Sequence, residues 1–258
     1  MHEGVLMQIK FLGNWSSHIK AGKRNVSILM DKKIILDFGP HTIESLLENN
    51  IDPCSIKKVL ISHMHLDHYG GLAELLWYRA INHAEEELSI MGPRGIKAAT
   101  ESILKLYFTP DNEKFKVRSK IHENNPGREV YEIKPEYIER TEHDYIESFP
   151  GNHIIPDSIY RLDYNGFIIT YTGDTAYTES AIMAGENADI LLHEMTYTDE
   201  NSDIATFWKH STYSSAMKVF KDSHAKKLVP VHLTDDTFNL LNSKKHENVI
   251  MPVADIEL

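Results

Sequence analysis

The chain has 258 residues, 41% of them hydrophobic and 25% charged, ordinary values for a globular protein and in keeping with one compact α/β domain over residues 1–258. No stretch reaches the ~20 apolar residues that a membrane helix needs, and Met1 to Lys10 holds no apolar signal core, so a cytoplasmic location is expected. The formal net charge of −11 argues against non-specific nucleic-acid binding, which needs clustered Lys and Arg, and the single cysteine, Cys54, excludes an internal disulfide and points to a reducing compartment.

In chain order, Met7 to Leu12 alternates and ends in Gly13, predicting a strand. Ser27–Met30 and Lys33–Asp37 predict a hairpin around Asp31-Lys32. Thr42 to Asn49 has helical spacing, with Ile43, Leu46 and Leu47 on one face and Asn49-Asn50 closing it. Cys54 lies in a turn-like Ile51-Asp52-Pro53-Cys54 segment without the signature of a nucleophile, and it reads as packing. Lys58–Ser62 is a short apolar strand that runs directly into His63-Met64-His65-Leu66-Asp67-His68. Gly70-Gly71 follows, then a helix from Leu72 to about Ala80, a strand at Leu88–Met91 ending in Gly92-Pro93, and a helix over Gly95–Leu106. From Thr109 to Glu147, charges with Pro110, Pro126-Gly127 and Pro135 predict loops and edge strands. Ser158–Asp163 and Gly166–Tyr171 pair as a hairpin through Tyr164-Asn165-Gly166. A strand at Asp189–His193, a helix beginning near Ser211 and a strand at Lys227–His232 complete the pattern. Strands dominate each half and helices follow them, which suggests two sheets face to face with helices outside.

The chemistry is concentrated after the strand at Lys58–Ser62. His63, His65, Asp67 and His68 place four potential ligands within six residues. In a tight loop, His63 and His65 can point one way while Asp67 and His68 turn towards a second point. Imidazole nitrogen with carboxylate oxygen suits zinc and other borderline divalent metals. Three later residues stand at element ends, where inward-pointing ligands are expected: His153 after Phe149-Pro150-Gly151-Asn152, Asp174 in Tyr171-Thr172-Gly173-Asp174-Thr175, and His232 at the end of Leu228–Val231. With the first loop they make a set of seven.

The loop His63–His68, the Thr172-Gly173-Asp174-Thr175 turn and His232 resemble the metallo-β-lactamase superfamily. Within it, the likeness is greatest to the ribonuclease Z group and its phosphodiesterase relatives. Leu36-Asp37-Phe38-Gly39, Met91-Gly92-Pro93-Arg94-Gly95, His193-Glu194-Met195-Thr196-Tyr197, Lys209-His210-Ser211-Thr212 and Lys23-Arg24-Asn25-Val26-Ser27 resemble further elements of that group. The resemblance implies a four-layer αββα sandwich of two mixed sheets. It also implies two divalent metal ions, zinc by default, with manganese or iron as alternatives. His63, His65 and His153 would hold one ion; Asp67, His68 and His232 would hold the other, with Asp174 bridging. A hydroxide between the ions would attack phosphorus, because two cations lower the pKa of bound water and polarise phosphoryl oxygens. Asp67 could also accept a proton from that water. His210 and Glu194 would act beyond the ions, the histidine meeting charge on the leaving oxygen and the carboxylate orienting it. His193 reads equally as structural or as support for a ligand. Lys23, Arg24 and Asn25 would contact a substrate phosphate, or form a solvated turn. Trp208 is either a pocket wall or core.

The expected function is therefore that of a metal-dependent phosphodiesterase, acting on a cyclic nucleotide, another small phosphodiester or an RNA end. No membrane or obligate protein partner is expected, and relatives are commonly homodimers. A tRNA 3′-end endoribonuclease is the nearest alternative. However, a tRNA-processing ribonuclease Z would carry a long arm between its histidine ligand and its bridging aspartate. Here two short strands joined at Asn165-Gly166 fill that interval. Hydrolysis of a lactone or other non-phosphate ester, and a mononuclear iron oxidoreductase on the same fold, are further rivals. His153, His232, His210 and Glu194 count against the iron reading.

Overall fold

The computed structural model describes residues 7–125, 127–129, 132–140, 145–244 and 246–258. Residues 1–6 and Pro126, on which parts of the N-terminal and the Pro126-Gly127 expectations fall, lie outside the described residues. The first half of the chain supplies β1 (Gln8–Gly13), β2 (Ser27–Met30), β3 (Ile34–Leu36), β4 (Lys58–Leu60), β5 (Leu88–Pro93) and β6 (Ser119–Asn124). A small separate hairpin follows, β7 (Gly127–Glu129) with β8 (Glu132–Lys134). The second half supplies β9 (Glu136–Arg140), β10 (Tyr145–Pro150), β11 (Ser158–Tyr164), β12 (Phe167–Tyr171), β13 (Ile190–Glu194) and β14 (Leu228–Val231), and β15 (Ile256–Glu257) returns to pair with β1. The two large sheets run β15-β1-β2-β3-β4-β5-β6 and β14-β13-β12-β11-β10-β9. Both are mixed: β3 to β6 pair in parallel, as do β12 to β14, and the remaining neighbours are antiparallel.

Strands buried on both faces explain the layering, because alternate side chains leave a strand in opposite directions. Ile34 and Leu36 of β3 join Ile28, Met30 and Leu60 in facing Tyr160, Ile169, Tyr171, Ile190 and Leu192 of the other sheet. Ile35, between them, turns the other way with Leu29, Val59 and Ile90. There it packs against α1 (Thr42–Glu48), α3 (Leu72–Ile81) and α4 (Ile96–Leu106), with the single turn α2 (Leu66–Tyr69) just before α3. Leu191 and Leu228 likewise face outward onto α5 (Glu179–Ala184), α7 (Tyr213–Asp222) and α8 (Asp235–Ser243); α6 (Ser202–Trp208) precedes α7. The result is helices, sheet, sheet, helices, the αββα sandwich that the resemblance implies.

Both predicted hairpins form, and for the expected reason. Asp31 and Lys32 (φ 46° and 56°), like Asn165 and Gly166 (φ 53° and 81°), adopt the left-handed conformations that a two-residue hairpin turn requires. The Thr109–Glu147 segment supplies edge strands β6 and β9, as its composition suggests, but also β10, which is interior to its sheet. Its alternation is hidden because β10 is buried along its centre on both faces.

Candidate metal centre

Every residue of the predicted ligand set sits at the carboxyl end of a strand or one turn beyond it. β4 ends at Leu60 and the chain dives between the sheets, so His63 and His68 are fully buried. Asp37 holds this loop in place. It lies just after β3 with φ 54°, and it is fully buried. Its Oδ1 accepts from the Ser62 N–H at 2.6 Å, and its Oδ2 accepts from the Ser62 hydroxyl at 2.7 Å and from His68 Nδ1–H at 2.6 Å. The Tyr171 hydroxyl donates to the same oxygen. A buried carboxylate with four donors is satisfied, and by accepting the His68 Nδ1–H it turns His68 Nε2 towards Asp174. Burial disfavours charge on this ring, but the Asp174 and Asp37 carboxylates outweigh it and hold His68 well above the ordinary histidine range.

The same logic fixes the other rings. Thr196 donates its hydroxyl to Glu194 Oε2 at 2.6 Å, so its oxygen accepts from His232 Nδ1–H at 2.7 Å. His232 Nε2 then turns inward, 3.3 Å from Asp67 Oδ2 and 3.3 Å from Asp174 Oδ2. His153 Nδ1–H faces the Lys209 carbonyl at 3.3 Å, and its Nε2 lies 3.3 Å from His65 Nδ1, which is 3.0 Å from His63 Nε2. Asp174 occupies the middle: its Oδ2 is 3.3 Å from His68 Nε2 and 3.7 Å from His63 Nε2. Gly173 (φ +56°) makes this possible, since a Cβ there would stand 2.4 Å from the Ser62 Cβ. His232 itself has φ 54°, in the left-handed region that non-glycine residues adopt infrequently.

All seven predicted ligands thus converge. His63, His65 and His153 form one set whose ligand atoms lie within 4.8 Å of one another; His63, His68 and Asp174 form a second; Asp67, His68 and His232 form a third. Two buried atoms of this set, His68 Nε2 and Asp174 Oδ1, have no hydrogen-bond partner. Buried polar atoms are normally paired, so convergent unpaired nitrogen and oxygen donors fit divalent cations.

The electrostatics describe a centre poised for positive charge. Burial drives His63 far below the ordinary histidine range, and burial lowers His153 to about 4, so both stay neutral and free to ligate. Burial alone would raise Asp67, but the His232 hydrogen bond and the nearby His68 bring it down to about 2. His210 behaves in the opposite way. Burial disfavours its charge, yet the Glu194 and Asp174 carboxylates outweigh that and lift it to about 9. Its Nδ1–H donates to Glu194 Oε1 at 2.9 Å, and its ring lies parallel to His232 with centroids 5.4 Å apart. Glu194 is fully buried and further held by the Thr175 N–H at 2.8 Å.

A cavity of about 650 Å³ opens over this centre. Asp67, Asp174, His210 and His232 form its floor; Ile154, Tyr197, Ile204 and Trp208 form an apolar wall, and among the described residues no Lys or Arg lines it. Trp208 is 46% exposed, so it is wall rather than core. The structure does not bring Lys23, Arg24 and Asn25 here. They fall near a different recess, where Lys23 caps the Trp15 ring at 3.7 Å and Arg24 forms a two-pronged ion pair with Glu48 at 2.7 and 2.8 Å. Asn25 is buried and donates to the Ser16 carbonyl at 2.9 Å. Each of these groups has a partner that local sequence cannot show, and none lines the cavity over the ligand set. His193 is buried, donates Nδ1–H to the Glu194 carbonyl at 2.7 Å and joins no ligand set. Sequence reading missed Asp37 as a functional residue and missed Asp157, which lies 3.6 Å from His63 Nδ1. Asp37 had a signal in its position before Gly39; Asp157 had none.

Known proteins resemble the chain to differing degrees. The family model described as "Anti-Pycsar protein Apyc1" matches residues 7–251. A ribonuclease Z of Limosilactobacillus reuteri is 30% identical over 281 aligned positions, which cover 88% of this chain and 88% of that protein. Among solved structures, human tRNase Z, short form, superposes with a TM-score of 0.76 at 22% identity, covering 89% of this chain and 94% of that one. A diphosphatase of the PhnP family superposes with a TM-score of 0.74 at 15% identity, covering 98% and 97%. The chain belongs to the Anti-Pycsar protein Apyc1 family and, together with the ribonucleases Z, to the metallo-β-lactamase-fold hydrolases of phosphodiesterase type.

Proposed function

We propose that this hydrolase holds two divalent cations, zinc by its donor set, and cleaves small phosphodiesters such as cyclic nucleotides. One observation carries the choice of bond: the buried Glu194–His210 pair at 2.9 Å stands beside the convergent ligand set and on the cavity floor. His63, His65 and His153 would hold one ion, Asp67, His68 and His232 the other, with Asp174 between. Bound there, two cations would bring a water's pKa towards neutrality and draw charge from the phosphoryl oxygens. The chain's own groups do the rest. Asp67, ionised down to about pH 2, accepts a proton from the attacking water. Glu194 keeps His210 protonated, and the imidazolium donates to the leaving oxygen as its charge develops.

The shape of the cavity favours a compact substrate. About 650 Å³ suits a nucleotide-sized ligand. Among the described residues its walls hold none of the Lys and Arg that grip a nucleic-acid backbone, and the whole chain carries −11. Between His153 and Asp174 only β11 and β12 and their two-residue turn are found. The ribonuclease Z alignment spans 281 positions against the 258 residues here, so part of that relative lies opposite gaps. Cleavage of tRNA 3′ ends is the second reading, favoured by the 30% identity to a ribonuclease Z. The unpaired cysteine and the absence, among described residues, of any helix long and apolar enough to cross a membrane fit a cytoplasmic site of action.

The purified protein, assayed on bis(p-nitrophenyl) phosphate, 3′,5′-cyclic nucleotides and precursor tRNA, tests both readings. Turnover of the cyclic nucleotides with precursor tRNA left intact is expected. Cleavage of precursor tRNA with cyclic nucleotides untouched would replace this proposal with the second reading.

A further inference from the structure

One buried acid near the centre lies outside the set of seven. Asp157 follows the β10–β11 turn, and its side chain is completely buried. Neither of its carboxyl oxygens has a hydrogen-bond partner. The fold has cleared space for it. A Cβ on Gly151 would stand 1.9 Å from Asp157 Oδ2, and a Cβ on Gly173 would stand 2.9 Å from Oδ1. An unpaired buried acid destabilises the fold that carries it, whereas an apolar group of the same shape would not. Its benefit must therefore come from a state that the protein alone does not reach.

The neighbour that can supply this benefit is His63. Its Nε2 points to the ligand space, and its Nδ1 points away, 3.6 Å from Asp157 Oδ1. Ser62 Oγ is nearer to Nδ1, at 3.0 Å, but it has already given its one proton to Asp37. The Ser62 oxygen can therefore only accept, so Nδ1 carries the proton. Withdrawal of electrons at Nε2 by a cation makes that Nδ1–H a stronger donor, and Asp157 Oδ1 is the carboxyl acceptor on that side. Ligand histidines are commonly oriented through their second nitrogen in this way. His68 shows the closer form of such a contact, its Nδ1–H donating to Asp37 at 2.6 Å.

We propose that Asp157 is a positioning residue that, when a cation is bound, shares the His63 Nδ1–H with Ser62 Oγ and so holds the His63 ring on the ion shared with His65 and His153. The role needs only an acceptor oxygen at Oδ1, not a particular protonation state. It rests on the metal-dependent reading above.

Two substitutions of the same shape separate this role from a merely structural one: Asp157→Asn keeps an acceptor oxygen, and Asp157→Leu removes it. Zinc affinity is read by competition with a chelating dye, and the melting temperature is read on metal-free protein. Asp157→Leu is expected to bind the weaker-held ion about 10–100-fold less tightly, while its metal-free melting temperature stays level or rises. Asp157→Asn is expected to keep near wild-type affinity. Wild-type affinity in Asp157→Leu, or a fall in metal-free melting temperature with affinity unchanged, overturns the proposal and leaves the phosphodiesterase reading standing. If wild-type protein binds no zinc, both fail. Should Asp157→Leu not fold, Asp157→Ala is judged on the same two measurements.

Discussion

At the scale of single residues, the centre is governed by which nitrogen keeps a proton. Two acids, Asp37 and Glu194, the latter both directly and through Thr196, orient the rings of His68, His210 and His232. His210 is held positive by Glu194 and Asp174 outside the set of seven, so its removal should cost catalysis without unloading the site. His210→Ala is expected to lower phosphodiesterase kcat by roughly 10²–10⁴-fold with metal content unchanged; loss of metal would show that His210 is a ligand. The pair also has a signature in stability. The His210 pKa of about 9 lies above its unfolded value. Its contribution is therefore fully present below the unfolded value of 6.5 and lost as pH rises through about 9. Metal-free protein should lose melting temperature over that window, and Glu194→Gln, which removes the partner carboxylate, should flatten the loss. An equal loss in both proteins would contradict the pairing. The seven ligands and the Glu194–His210 pair were legible because each stands at an element end in a recognisable pattern. Asp37 and Asp157 were not, because their partners lie 25 and 31 residues or more away in sequence or arrive from another strand. Lys23 and Arg24 misled for the same reason: Glu48 and Trp15 claim them.

At the scale of elements, the site depends on turns more than on strands. Gly173 sets Asp174 against His68 and His232 with a backbone that other residues rarely adopt. Gly173→Ala adds a left-handed penalty of about 1–2 kcal/mol and a methyl 2.4 Å from the Ser62 Cβ. A lowered melting temperature and at least a roughly tenfold loss of phosphodiesterase rate are expected, since one misplaced group can cost about 10²-fold. A wild-type rate in this variant would show that the turn is dispensable. Strands and hairpins were readable from two-residue periodicity and turn chemistry. Helices α5, α6 and α8 were not. Each is six to nine residues long, and α8 reads Asp-Asp-Thr-Phe-Asn-Leu-Leu-Asn-Ser, poor in helix formers. What makes α8 helical is its Thr234–Thr237 capping box and the burial of Leu241, the second of which is tertiary information.

At the scale of the molecule, the sandwich brings strand ends from both sheets to one edge. His63, His65, Asp67 and His68 arrive from the first sheet; His153, Asp174 and His232 arrive from the second. Neither sheet alone holds a complete centre, so the packing of Leu36 and Leu60 against Tyr171 and Leu192 is also what assembles the site. The pattern of strands and helices foretold two sheets, but not their order or which ends meet; only the αββα layering followed from the resemblance that the ligand motifs carry. The central claim is that seven side chains from both sheets cage a pair of cations. Elemental analysis of the purified chain, set beside Asp174→Ala, tests it most directly. About two divalent ions per wild-type chain, falling below one when Asp174 is removed from between them, is the predicted result. A single ion in the wild type, or an undiminished pair in Asp174→Ala, would contradict it.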